Sequence, residues 1–194
     1  MIGLLVALTM PGAVELPMGS APEPVTFPWF PDTLHTFVWF NWELVSLERM
    51  GKTVGATAEQ IETIGKAMGL STPNPVTENQ WKRSYITIIR RNWHLLPYDQ
   101  LLTLLDWTPE ELAYTLREDD FLFIKLGNLK PKCKPLAYAP PTPEVQARET
   151  EIAAQIKDMF PEGLAQTGEP LFGFIDKLSQ PMDPPPTQLP ESRF

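Results

Sequence analysis

The chain contains two versions of one stretch. Asn41 to Ile61 reappears 51 residues later as Asn92 to Leu112, with Asn41, Trp42, Leu44, Thr57 and Glu59 recurring as Asn92, Trp93, Leu95, Thr108 and Glu110. Val45, Met50, Val54 and Ile61 are answered by the apolar Leu96, Leu101, Leu105 and Leu112. Matching residue types at one fixed offset, with apolar character kept between them, predict a duplicated supersecondary unit. The spacing inside each copy is helical, so the expected fold is all-α.

Helix boundaries can be read from the capping chemistry. Thr57 with Gln60, Thr77 with Gln80 and Thr108 with Glu111 each form a capping box, in which a hydroxyl covers free amides and the later side chain reaches back. After Thr57 the apolar positions Ile61, Ile64 and Met68 precede Gly69 as a stop; after Thr77 come Trp81, Tyr85, Ile88 and Ile89. Behind Thr108, Pro109 suits the first helical position, and Leu112, Thr115 and Leu116 continue the face. A preceding stripe of Leu44, Leu47, Met50 and Val54 ends at Gly55; its counterpart Leu101, Leu104 and Leu105 begins at Pro97 and ends near Asp106. A leading helix, near Thr33 to Phe40 in one copy and Glu78 to Arg91 in the other, makes each copy three-helical. The expected fold is therefore two tandem three-helix, helix-turn-helix-like repeats, at about 32–69 and 78–121, within a duplicated domain at 27–138.

Proline sets the flanks apart. The 22 prolines crowd the start, the stretch after the repeats and the end, where the missing donor and fixed φ favour extended arms. Residues 1–26 read as a signal-like or linker segment, 139–180 as a helical extension with Thr142 as cap and Val145, Ile152, Ile156 and Met159 on one face, and 181–194 as a proline-rich linker. The apolar run Ile2 to Met10 is too short to span a bilayer and has no Lys or Arg before it, leaving secreted and cytoplasmic readings both open. No other segment is a transmembrane candidate.

Charge divides at the same boundaries. Residues 1–40 carry three acids and no Lys or Arg, residues 41–138 carry twelve of each sign, and residues 139–194 carry nine acids against four bases, for a net charge of −8. This is not the basic field that attracts phosphate backbones. A helix, a three-residue turn and a capped helix do outline a DNA-reading motif. The candidate recognition helices, however, carry Glu59, Glu62, Glu110, Glu111, Glu118, Asp119 and Asp120, which would repel phosphates. A DNA-binding regulator is thus the alternative reading, beside a free-standing protein-interaction domain, and nucleic acid is not the expected partner.

Candidate chemistry is sparse. Cys133 is the sole cysteine, so an internal disulfide or thiolate cluster is excluded, and with only His35 and His94 a metal site would need scattered carboxylates. Both histidines are expected at the edge of the helical core. The triplet Glu118, Asp119 and Asp120 could suggest acid–base work, but three consecutive residues at a helix end point in different directions. They are expected instead to form structural ion pairs with Arg90 and Arg91, since Arg–carboxylate forks hold helices in register. Trp42, Trp93 and Trp107 are expected as core anchors. No catalytic residue, cofactor site or metal site is assigned.

The runs Arg90-Arg91-Asn92-Trp93-His94-Leu95-Leu96-Pro97-Tyr98, Asp106-Trp107-Thr108-Pro109-Glu110-Glu111-Leu112-Ala113 and Arg117-Glu118-Asp119-Asp120-Phe121-Leu122 resemble the N-terminal helical region of large, mostly uncharacterised bacterial glycoside-hydrolase-like proteins. In these a helical region precedes a barrel module. The resemblance covers about residues 27–138, and the next module would begin at the end, near Arg193-Phe194. It implies a noncatalytic accessory or packing domain whose partner is a downstream module of the same polypeptide, with carbohydrate reached only through that module. No catalytic residue of a barrel can be carried over.

Overall fold

The computed structural model describes residues 14, 16–17, 22–127, 129–164 and 172–181. The apolar run Ile2 to Met10, and with it the signal-peptide reading, lies outside the described residues, as does the linker from residue 182 onward. Among the described residues every regular element is a helix: α1 Thr33–Asn41, α2 Leu47–Val54, α3 Ala58–Ala67, α4 Glu78–Asn92, α5 Tyr98–Leu105, α6 Pro109–Glu118, α7 Leu122–Lys125, α8 Pro143–Met159 and α9 Gly173–Leu178. The bounds of α2 and α3 plus 51 are those of α5 and α6, and α1 and α4 end 51 residues apart.

The helix ends follow the capping chemistry. All three capping boxes form, with Thr57, Thr77 and Thr108 hydroxyls accepting from the amides of Gln60, Gln80 and Glu111. Gly55 and Asp106 end α2 and α5 in the left-handed region, at φ 72° and 57°. The turns after α1 and α4 also match, because the Asn41 carbonyl accepts from Leu44 and Val45 as the Asn92 carbonyl does from Leu95 and Leu96. Leu44 therefore lies in a turn, and α2 starts only at Leu47 behind its cap Ser46. The last residues expected in the second copy form no part of α6: Asp119 is its C-cap, and Asp120 and Phe121 are left-handed at φ 51° and 52° before α7.

Two pairs of helices 51 residues apart, α1 with α4 and α2 with α5, pack against each other. α1 lies on α3 and α4, α2 on α3 and α5, α4 on α5, and α8 on α3. Phe37, Met50, Ile61, Met68, Ile88, Ile89, Leu96, Leu101 and Leu112 are fully buried in the resulting core. At its centre Asn41 and Asn92, both without exposure, donate to each other's Oδ1 at 2.9 and 2.8 Å. Each also donates one turn back along its own helix, to the carbonyls of Phe37 and Ile88 at 2.8 Å. Both amide hydrogens and the side-chain oxygen of each residue are thus satisfied, as burial demands.

Trp42 and Trp93 are core residues but not alike. Gly65 leaves the space that the Trp42 ring fills: a Cβ there would lie 2.1 Å from the indole. The indole N–H of Trp42 donates to the Ser71 carbonyl at 2.8 Å. Fifty-one residues after Gly65 stands buried Leu116, a large side chain where the other position has none. Trp93 packs instead edge-on to Tyr98, and among the described residues its Nε1 has no partner.

Candidate functional site

The carboxylate triplet does not pair with Arg90 and Arg91. Glu118 takes the neighbouring Arg117 at 2.6 Å, Asp120 takes Lys125 at 2.8 Å, and Asp119 accepts from the Tyr85 hydroxyl at 2.9 Å. Arg91 donates to the Phe40 carbonyl at 2.7 Å. The expectation fails because α6 ends at Glu118, and the left-handed pair Asp120-Phe121 turns the last carboxylate toward α7 rather than α4. The three groups thus take three different partners.

His35 is not at the edge of the core. It is 2% exposed on α1, with Nδ1 2.7 Å from Asp32 and Nε2 2.9 Å from Glu149 on α8. Burial alone would lower its pKa, but the two carboxylates outweigh that and hold it above the ordinary histidine value. Asp32 is held below the usual carboxylate range by its bonds to the His35 ring and amide, against burial. The Asp-x-x-His spacing at a helix start was visible in the sequence; the third member, 114 residues away, was not.

His94 lines a cavity of about 580 Å³ between residues 23–36 and 132–136. Its Nδ1 accepts from the Val25 amide at 3.2 Å, which leaves the proton on Nε2. Burial, and then the Lys130 charge, hold its pKa below the ordinary value. Cys133 lines the same cavity, with its thiol pushed up by burial against the pull of Lys130. A thiol so held is a poor nucleophile. Lys130 is 4% exposed; its Nζ donates to the Trp93 carbonyl at 2.8 Å and lies 5.2 and 5.6 Å from the Trp93 and Tyr98 rings. Burial lowers its pKa. Its role here is mechanical, fixing the start of the segment after α7 against the end of α4.

Trp107 departs from the core-anchor expectation, being only half-buried. It lies 5.4 Å from the Tyr85 ring, and both line a cleft of about 210 Å³ between α4 and α6. A third concave region, about 450 Å³, is mainly apolar: Val14, Pro17, Leu116, Phe121, Phe123 and Ile124 line it, together with Arg117. Phe121 and Ile124 are 75% and 67% exposed. Among the described residues no group of three or more His, Cys, Asp and Glu could hold a metal ion, and no helix is long and apolar enough to cross a membrane. In comparisons with known proteins, the chain matches no family model, no curated protein and no solved structure.

Proposed function

We propose that the chain is a noncatalytic accessory module, made of two copies of one three-helix unit, that packs against a further module of a larger polypeptide. The observation that carries this is the apolar groove between α6 and α7. A large aromatic on a left-handed backbone is held out into solvent there, and contiguous exposed apolar surface of this kind marks a protein contact. The duplication is supported by the common 51-residue offset of helix bounds, caps and turns. The noncatalytic reading is supported by the engagement of His35, Asp119 and Lys130 in contacts between helices and segments. That the larger polypeptide is glycoside-hydrolase-like, reaching carbohydrate through its downstream module, rests on the resemblance of residues 90–122 alone.

The test is to produce these 194 residues and the downstream reading frame as separate chains. The two should associate, and Phe121→Asp with Ile124→Asp should abolish association while leaving the helical circular dichroism unchanged. Turnover of glycosidase substrates by the 194 residues alone, or association indifferent to both substitutions, overturns the reading. Duplex DNA should not bind with salt-sensitive affinity, since Glu59, Glu62, Glu110 and Glu111 stand on the helices that would enter the groove.

A further inference from the structure

We propose that the cleft between α4 and α6 is a binding site for an alkylated ammonium group. Its walls are the half-buried rings of Trp81, Tyr85 and Trp107, and its floor is the buried pair Ile88 and Leu105. Tyr85 and Trp107 are inclined at 44° with centroids 5.4 Å apart, so a group resting on one ring is within reach of the other. At about 210 Å³ the space is smaller than the roughly 300–1,000 Å³ of sites that enclose whole drug-sized ligands, which suits a head group.

The electrostatics favour a cation. The faces of aromatic rings are negative, and several rings lining one small cleft are the arrangement that recognises methylated ammonium. The protein itself uses one of these rings in this way: the Arg49 guanidinium lies 4.7 Å from the Trp81 centroid. The Tyr85 hydroxyl donates to Asp119, leaving its oxygen lone pairs available and a carboxylate beside the ring, and Asp120 acts on Tyr85 from further off. Against these stand Lys82 at the rim, whose charge is answered by Glu78 at 2.7 Å, and Arg49 over Trp81, whose charge is answered by Asp106 at 3.3 Å. An anion would meet the Asp119 carboxylate beside Tyr85, while the nearby cations Arg49 and Lys82 are each paired already.

The whole chain should be titrated with tetramethylammonium, choline and a peptide carrying trimethyl-lysine, following tryptophan fluorescence and amide chemical shifts. Neopentyl alcohol serves as the neutral isostere and methyl glucoside as the stacking sugar. Saturable binding of the cations, about tenfold tighter than of the isostere, is expected from cation–π attraction in a partly desolvated site. Whether choline or the peptide binds more tightly identifies a free solute or a protein tail as the source. Trp107→Ala should abolish binding. Because that variant could disturb α6, Asp119→Asn provides a second test, keeping an acceptor for Tyr85 while weakening the cation about threefold or more and leaving the isostere unchanged. Equal binding of the isostere, preference for the glucoside, or no saturation with any cation overturns the proposal.

Discussion

Asn41 and Asn92 were visible as repeated letters, but not as partners. Recurrence at one offset identifies equivalent positions, while only the crossing of α1 with α4 brings those positions together, so a contact between them is a property of the assembled halves. Truncating one Asn strands the amide of the other in a fully buried site, at a cost of about 1–3 kcal/mol. Asn41→Ala and Asn92→Ala should each lower stability by that amount in urea unfolding. Replacing both by Leu, which leaves no polar group orphaned, should recover much of the loss. Strictly additive losses in the double variant would mean that the two residues act through their own helix ends and not through each other. The tryptophans carry the same lesson. Trp42 and Trp93 repeat, yet Gly65 and Leu116 do not: the Trp42 indole, seated on Gly65, donates to Ser71, while among the described residues the Trp93 indole N–H finds no partner.

Helix starts were legible because capping is local: three Thr boxes predicted three N-termini, and all three form. Where α8 docks was not legible, because its anchors come from distant elements. Ile152 and Ile156 pack into the core, Gly69 lets the backbone of Ala153 approach, and Glu149 meets His35. The ionic anchor sets a pH dependence. His35 has its folded pKa raised, so its contribution is full below the unfolded value of 6.5 and fades as pH rises through the raised folded value. Asp32 has its folded pKa lowered, so its contribution is full above 3.8 and fades as pH falls through the lowered value. Hydrogen exchange should therefore show α8 best protected in mildly acidic solution and loosened on the alkaline side of neutrality, while α2 and α5 change little. In His35→Gln the alkaline loosening should vanish; if it persists, another group governs the docking.

At the scale of the described molecule, two residues at the 51-residue offset differ where caps and turns match. Arg49 and Gln100 stand 51 residues apart, at matching places on α2 and α5, but differ in kind and in direction. Arg49 leans over Trp81, toward Asp106 at 3.3 Å. Gln100 reaches back to α2 and donates to the Thr53 carbonyl at 2.9 Å, while its amide also pairs with residue 136 as a strand would: it donates to the Leu136 carbonyl at 2.6 Å and accepts the Leu136 amide at 2.7 Å. Two residues on, the same segment donates from the Tyr138 amide to the Val54 carbonyl at 2.8 Å. The proline-bearing stretch after α7 is thereby tied across both sets, with Lys130 fixing its start. Proline density announced an extended path, but the glutamine that receives it carries no local signal, since an exposed Gln on a helix reads as solvent-facing. Gln100→Leu keeps the side chain's bulk and deprives the Leu136 amide and two carbonyls of their partners, so it should destabilise the protein by about 2–3 kcal/mol. Gln100→Glu should do no better, because a carboxylate can still accept the Leu136 amide but faces two carbonyls to which it cannot donate. In both variants exchange at Leu136 and Tyr138 should accelerate more than exchange within α4 and α6, since the tie is lost before the helices part. Uniform acceleration throughout would mean that the segment is an integral part of the core, and unchanged stability would mean that it only lies against the surface.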